Sequence, residues 1–362
     1  MNFGWISTSI QHIFPILVFL GAISIVAELA DIAGVFSAAS QLATRWGRGS
    51  VRRLWLIVIL LSSLTTIFLS LDTTAVLLTP VVLVMAARIG ISPWPFALTT
   101  VWLANTASLV LPVSNLTNLL LVSRLHWSVF RYATRMWLPA LVAIFMTLFI
   151  LIGFLRTSLT GRYSKVTIAV VRDPWLFRLS LIICLLVGPF FLAGIVPWLV
   201  AVVGAVILLV AYSIRQRDQL TWTLFPWRLI SITLGLFLTV GFLQQEGLNH
   251  WLTKIAGTGD GFLSLLRLAT SGAVGSNLIN NLPAYVALEP LASTSSNRML
   301  ALLIGTNLGP LVTLWASLAT LLWVQRCKSA QVSVSSRRFA MVGLVGVPIL
   351  LVSTVTALWI TG

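Results

Sequence analysis

Apolar residues run along this chain in long stretches that do not alternate with polar positions. One stretch covers residues 13–30, and another covers residues 137–154. Such runs approach the ~20 apolar residues that an α-helix needs to cross a bilayer, and they recur roughly ten times. Strands of a membrane barrel would alternate in polarity instead. The pattern therefore predicts an all-α polytopic membrane protein with roughly ten spans.

Polar residues interrupt several of these stretches at a depth where lipid should lie. The main breaks are residues 71–74, 112–118, 275–283 and 305–310. Backbone and amide groups in hydrocarbon cost several kcal/mol each unless they find partners. The breaks therefore lie inside protein or line a wet cavity, and we predict that they form a substrate site.

The breaks recur in the same order in the two halves of the chain. A shift of 202 positions places Asn105 on Asn307, and with it Asn115 on Ser317. A nearby shift places Pro80 on Pro283. Repeated broken helices are typical of secondary transporters, whose sites lie at the repeat interface.

The distribution of charge predicts how the spans of the two halves are oriented in the membrane. The net charge is +15, from 23 Lys and Arg against 8 Asp and Glu. Arginines crowd residues 45–53, 156–178, 215–228 and 326–338, which we place in the cytoplasm by the positive-inside rule rather than on nucleic acid. The first span then enters the cytoplasm, whereas the matching span from Leu229 leaves it.

The sequence thus predicts two inverted-topology repeats with broken helices and re-entrant hairpins. Residues 1–156 form the first repeat, 157–178 a basic cytoplasmic linker, and 179–362 the second repeat. Three arginines, Arg124, Arg131 and Arg135, then fall on the outer side. We explain them by an interfacial helix with snorkelling side chains.

Asp72 is the residue to which we assign ion coupling. A carboxylate at membrane depth is costly and usually faces a pathway. Protonation removes that cost, so the coupling ion is H⁺ or Na⁺. Asp31 is a second candidate for coupling, with a surface ion pair, shared with Glu28, as the alternative. For Asp72 the alternative is a structural hydrogen bond.

Amides and hydroxyls at the breaks can coordinate ions or polar solutes at the midplane. The alternative is ordinary hydrogen bonding between helices, worth about 0.6 kcal/mol each. The predicted substrate-binding residues are Ser114, Asn115, Thr117, Asn118, Ser276, Asn277, Asn280, Asn281, Asn307, Thr313 and Ser317. Two isolated cysteines, Cys184 and Cys327, show no metal-ligand spacing, and we expect neither a metal nor a cofactor.

These motifs together resemble the arsenite efflux permeases. That family belongs to a superfamily of ion transporters that also includes NhaD-type Na⁺/H⁺ antiporters and Na⁺-coupled dicarboxylate carriers. The motifs that carry the resemblance are residues 70–75, 78–80, 106–108, 114–118, 225–227, 280–283, 307–310 and 317–323.

The resemblance implies inverted repeats whose hairpin tips, residues 114–118 and 276–281, meet at mid-membrane. It implies proton-linked export of neutral As(OH)₃ or Sb(OH)₃ through the inner membrane, by a transporter rather than an enzyme. Its further implied partners are a second copy of the chain and, optionally, an arsenite-stimulated ATPase. Two departures matter: Leu71 stands where the family often has Asn, and Asn307 where many members carry Asp.

Other functions remain open at this point. Na⁺/H⁺ antiport or transport of a small anion would use the same scaffold. A dicarboxylate carrier is disfavoured because the breaks lack a pair of cations. An intramembrane protease would need a partner for Asp72, and a membrane scaffold would not need two polar breaks.

Overall fold

The fold is built almost entirely from helices, as the sequence predicts. The computed structural model describes residues 4–163, 173–193, 195–228 and 257–362, with scattered positions from 230 to 242. These ranges contain no β-strand, only an isolated bridge between Ser50 and Arg162. The predicted span from Leu229 and the middle of the predicted linker, residues 164–172, lie outside the described residues.

Seven helices form the first part of the chain. They are α1 (Gly4–Ile32), α2 (Val35–Trp46), α3 (Val51–Phe68), α4 (Leu71–Arg88), α5 (Trp94–Ala107), α6 (Leu116–Leu125) and α7 (Val129–Leu155). Gly34 adopts a left-handed conformation with φ 88° and ends α1, so that α2 leaves at an angle of 68°. Serines cap α3 and α7: Ser50 accepts from the Arg53 N–H, and Ser128 from the Arg131 N–H.

Seven further helices follow within the described residues. They are α8 (Pro174–Leu192), α9 (Pro197–Arg215), α10 (Phe262–Ile279), α11 (Asn281–Ala292), α12 (Ser296–Leu308), α13 (Leu318–Ser329) and α14 (Ser336–Thr361). Their succession from α10 to α14 repeats that from α3 to α7. The opening helices α3 and α10 have 18 residues each, and the closing helices α7 and α14 have 27 and 26. The inverted orientation of the two series stays a prediction.

Six described helices are long and apolar enough to cross a membrane, or seven if the bent pair α1 and α2 counts as one span. The six are α3, α4, α7, α9, α10 and α14. The sequence predicts more spans because it counts each short apolar stretch. Helices α5, α6, α12 and α13 are too short to cross a bilayer by themselves, since each rises by about 20 Å or less.

Small residues bring α10 and α12 into close contact. A side chain at Gly305 would overlap the backbone of Ala269, and one at Gly309 would overlap Ala273. This spacing of small residues every four positions lets two helix backbones approach closely inside a membrane. The contact fixes the end of α12 beside the end of α10, and both ends carry predicted site residues.

Predicted cytoplasmic loops contact one another. Tyr163 donates from its backbone N–H to the Gly49 carbonyl at 3.0 Å, and from its hydroxyl to the Thr44 carbonyl at 2.8 Å. Asp173, at the start of α8, accepts a 2.8 Å bond from Arg215 at the end of α9. This guanidinium and two backbone N–H groups hold the pKa of Asp173 below its usual value.

The three arginines predicted on the outer side each have a partner. Arg135 donates to the Thr361 carbonyl at 2.8 Å, at the far end of α14. Arg124 lies 3.7 Å from Glu289, and the guanidinium of Arg131 lies over the Trp127 ring. These contacts, rather than snorkelling alone, accommodate the charges.

Candidate functional site

Asn307 lies at the end of α12, and its amide joins the two halves of the chain. Its Oδ1 accepts from Asn115 Nδ2 at 3.0 Å and from the Thr117 hydroxyl at 2.9 Å. Its Nδ2 donates to Asn118 Oδ1 at 2.9 Å. All four residues are buried. The structure therefore brings together predicted site residues that lie about 190 positions apart.

The break before α6 positions these partners. Residues 108–115 leave the helical conformation, and Asn118 Nδ2 donates to two of the freed carbonyls, Ser108 at 2.6 Å and Leu111 at 3.0 Å. Asn115 caps α6 by accepting from the Thr117 N–H at 3.2 Å. Ser114 donates to the Ile67 carbonyl at the end of α3. Each of these side chains thus satisfies backbone that the break exposes.

This break is not a hairpin tip, in contrast to what the resemblance implies for residues 114–118. Helices α5 and α6 make almost no contact with each other. The chain of the first half turns back instead between α3 and α4, where the hydroxyls of Thr66 and Thr74 lie 2.8 Å apart. Extended backbone at Asn115, with φ −152° and ψ 142°, precedes the restart of the helix at Leu116.

The second break does contain a hairpin. Asn280 has φ 85° and separates α10 from α11, and Gly275 lies against Ala284 across the turn. Asn280 donates to the Trp315 carbonyl at 2.9 Å, and the Asn281 N–H donates to the Ala316 carbonyl at 2.7 Å. The hairpin tip is therefore bound to the break that precedes α13.

Asn277 uses its whole amide to hold that break in place. Its Nδ2 donates to the carbonyls of Ala273 at 2.9 Å and Gly309 at 2.7 Å. Its Oδ1 accepts from the N–H and the hydroxyl of Thr313, both at 2.9 Å. Because the protein occupies every donor and acceptor position of this side chain, Asn277 serves here as a structural link.

Ser276 and Ser317 are also engaged with protein atoms. The Ser276 hydroxyl donates to the Gly272 carbonyl at 2.8 Å. Ser317 caps α13 by accepting from the Thr320 N–H at 3.1 Å. The repeat in the sequence does not extend to the bonds that Asn307 makes with the opposite half. Asn105, which aligns with Asn307, donates only to its own helix at Val101, and its Oδ1 is buried without a partner.

Asp72 faces a cavity of about 220 Å³. The cavity is lined by Pro15, Phe19, Ser70, Asp72, Val113, Asn115, Leu116, Leu119, Val196 and Trp198. Asp72 is only 4% exposed, and its Oδ1 has no hydrogen-bond partner. Of the predicted substrate-binding residues, Asn115 alone is in this lining. Among the described residues, the lining thus combines one carboxylate, one hydroxyl and one amide with apolar walls, and it includes no cationic side chain.

Asp31 lies elsewhere. It is exposed at the last turn of α1, and it does not line the cavity of Asp72. One turn earlier, Glu28 accepts a 2.6 Å bond from Arg326 of α13, which is 3% exposed. The ion pair considered for Glu28 in the sequence is present, although its partner comes from the other half of the chain.

Sequence analysis missed several residues of the site. Ser70 caps α4 by accepting from the Thr73 N–H at 3.1 Å and lines the cavity. A serine directly before a helical segment is a recognisable capping signal. Trp198 lies near the end of an apolar segment, where tryptophan is typical of the membrane interface rather than of a site. Phe19 and Leu119 carried no signal, since they are apolar residues in apolar runs.

Comparison with known proteins decides the family. A family model described as "Citrate transporter" matches residues 3–320. The chain belongs to the citrate transporter family. Within that family it is similar to "Arsenical pump membrane protein" of Yersinia enterocolitica, at 31% identity over 92% of this chain and 83% of the relative.

Two further relatives align over a similar share of the chain. "Arsenical pump membrane protein" of Escherichia coli (strain K12) is 31% identical over 92% of this chain and 83% of its own length. A "46 kDa membrane protein" of Mycobacterium leprae is 24% identical over 91% and 82%. The resemblance to the arsenite permeases is thereby confirmed. This member of the citrate transporter family is a multi-pass protein of the inner membrane, built as a transporter.

Proposed function

We propose that this protein exports arsenite or antimonite across the inner membrane in exchange for protons. One observation carries the proposal: Asp72 and Asn115 face the same cavity, and the Asp72 Oδ1 has no partner among the described residues. The names of the similar proteins support an arsenical substrate. Transport, rather than a chemical reaction, is the function of the family.

The cavity suits a small neutral hydroxide. As(OH)₃ carries three hydroxyl groups that both donate and accept hydrogen bonds. The Asn115 amide keeps one N–H and one acceptor position beyond its bonds to Asn307 and Thr117. The Ser70 hydroxyl donates to Thr73 and keeps an acceptor position. An anion such as a tricarboxylate would need cationic partners, and the ten described residues that line the cavity include none.

Asp72 is the group to which we assign proton coupling. When ionised, the carboxylate is costly in this buried position. A bound proton neutralises it and allows it to donate a hydrogen bond to substrate. Loading and release of that proton on opposite sides of the membrane would link substrate movement to the proton gradient.

Everted membrane vesicles test the proposal. As(III) uptake should require an imposed pH gradient and should collapse when a protonophore is added. Vesicles with confirmed protein that accumulate no As(III) would exclude the arsenite function. An arsenite-sensitive cell that expresses the protein should recover growth and hold less As(III).

The same vesicles distinguish arsenite–proton exchange from the alternatives, which are Na⁺ coupling and Na⁺/H⁺ antiport. A carboxylate with neighbouring hydroxyl and amide oxygens also suits Na⁺, which prefers oxygen ligands. Uptake that follows a Na⁺ gradient at fixed pH would assign coupling to Na⁺. A Na⁺-dependent proton flux without As(III) would instead assign Na⁺/H⁺ antiport. A homodimer and an arsenite-stimulated ATPase partner remain predictions, which cross-linking in the membrane and ATP-dependent uptake would test.

A further inference from the structure

A basic depression lies at the surface between α2 and α3, away from the candidate site. Trp46, Arg48 and Arg53 line it, and its volume is about 390 Å³. Trp46 is 57% exposed, and both arginines are exposed. Within the described part of the chain, neither guanidinium has a hydrogen-bond or ion-pair partner. The depression thus offers two unneutralised cations beside an exposed indole.

The loop that carries this depression has a fixed shape. Arg48 and Gly49 adopt positive φ angles of 47° and 77°. Tyr163 ties the loop down through the carbonyls of Gly49 and Thr44. The Ser50 side chain then caps α3 at the N–H of Arg53. These bonds hold Arg48 and Arg53 on the same depression.

An apolar ridge on α3 begins three residues after Arg53. Leu56, Leu60, Leu64 and Phe68 are 55%, 58%, 44% and 43% exposed. Their spacing of four places them on one face of α3. The ridge spans roughly 18 Å at 1.5 Å per residue. One leaflet of a bilayer contributes about 15 Å of hydrocarbon, so the ridge matches the length of an acyl chain.

We propose that Trp46, Arg48 and Arg53 bind the phosphate of an anionic phospholipid in the cytoplasmic leaflet, with its acyl chains along the α3 ridge. Arginine forms paired hydrogen bonds with phosphate oxygens, and tryptophan prefers the headgroup level. Basic clusters at the cytoplasmic surface attract anionic lipids. The continuity of charge and ridge favours a lipid over a soluble phosphate or an acidic protein, because neither of these would use the ridge.

Lipid titration of the purified protein, followed by native mass spectrometry, tests this site. The first phosphatidylglycerol should bind at least about fivefold more tightly than phosphatidylcholine. R48Q/R53Q should abolish that preference. A matched control is R337Q/R338Q, which removes the same charge from the first turn of α14. There the Ser335 side chain accepts from the Arg338 N–H as Ser50 accepts from the Arg53 N–H, but neither arginine lines the depression.

The control variant R337Q/R338Q should keep the wild-type preference for phosphatidylglycerol. Inorganic phosphate at 10 mM should not displace the lipid, although this concentration is about 10 times a weak-ligand Kd of about 1 mM. An equal loss of the phosphatidylglycerol preference in R48Q/R53Q and R337Q/R338Q would overturn the proposed site, because general surface charge would then explain the preference. Displacement by inorganic phosphate would also overturn it in favour of a soluble anion. A wild-type protein that binds both lipids equally would contradict the proposal and favour an acidic protein surface as the partner of the depression.

Discussion

Asn307 donates from Nδ2 to Oδ1 of Asn118, at 2.9 Å, across 189 positions of the chain. The same Asn307 amide accepts from Asn115 and Thr117. The Asn118 amide in turn donates to two backbone carbonyls of the broken stretch before α6. The Asn307 side chain of α12 therefore completes the hydrogen bonding of the break before α6, in the other half of the chain.

Asn307→Ala should lower the stability of the protein more than Asn105→Ala, the same change at the position that the repeat aligns with it. The change leaves Asn115, Thr117 and Asn118 with buried unpaired atoms, at about 1–3 kcal/mol for each. Asn105→Ala is the matched control, because Asn105 is equally buried but bonds only within its helix. Thermal unfolding in detergent measures both, and equal losses would contradict the linking role of Asn307.

Asn307→Asp should make transport depend on acid conditions. A carboxylate at this position can still accept from Asn115 and Thr117. Its second oxygen, however, would face Asn118 Oδ1, and two acceptors repel each other. A protonated acid restores the missing donor. We expect weak transport at neutral pH and recovery as the pH falls, and transport equal to wild type at every pH would show that Asn118 reorients freely.

Asp72→Asn should abolish transport without loss of stability. The carboxyl Oδ1 lacks a partner, so a neutral amide of the same shape removes a buried group that costs free energy when ionised. We expect As(III) uptake to fall at least about tenfold, the effect of losing ~1.4 kcal/mol of coupling. Thermal stability should stay equal or rise. Asp218→Asn, in an exposed loop, should change neither.

A fall in stability that matches the loss of transport would assign Asp72 a structural role instead. Asp31→Asn tests the second coupling candidate in the same assay. An unchanged pH profile would remove Asp31 from coupling.

The sequence predicts much of this architecture, because its signals are local. Long apolar runs mark the helices, and Pro, Gly and Asn mark the places where they break. The offset of 202 positions aligns the starts of α6 and α13, at Leu116 and Leu318, without error. Basic loops predict which ends of the helices share a side.

Pairing across the halves is not a local signal, and there the sequence falls short. The offset aligns Asn105 with Asn307, yet only Asn307 binds the opposite break. Nothing local separates Asn277, whose amide is fully bonded to protein, from Asn115, which faces a cavity. Their difference depends on distant backbone carbonyls such as Gly309. Phe19 and Leu119 enter the cavity only through tertiary packing.

Leu119→Phe should block transport while its neighbour tolerates the same change. Leu119 lines the cavity of about 220 Å³, so a larger ring would occupy space that the substrate needs. Leu120 is 39% exposed, so Leu120→Phe is the matched control. We expect a raised KM or lost uptake for the first variant and near wild-type uptake for the second. Equal uptake by both would place the substrate outside this cavity.

Glu28 and Arg326 should prove strongly coupled in a double-mutant cycle. Arg326 is 3% exposed, and its guanidinium donates at 2.6 Å to the carboxylate of Glu28 in the other half. Glu28→Gln leaves a buried guanidinium without that charge and should cost about 3 kcal/mol of stability. Arg326→Gln together with Glu28→Gln should cost less than the single change, because no charge is then left buried. Thermal unfolding of the four proteins measures the coupling energy, and additive losses would show that the pair does not bind the two halves together.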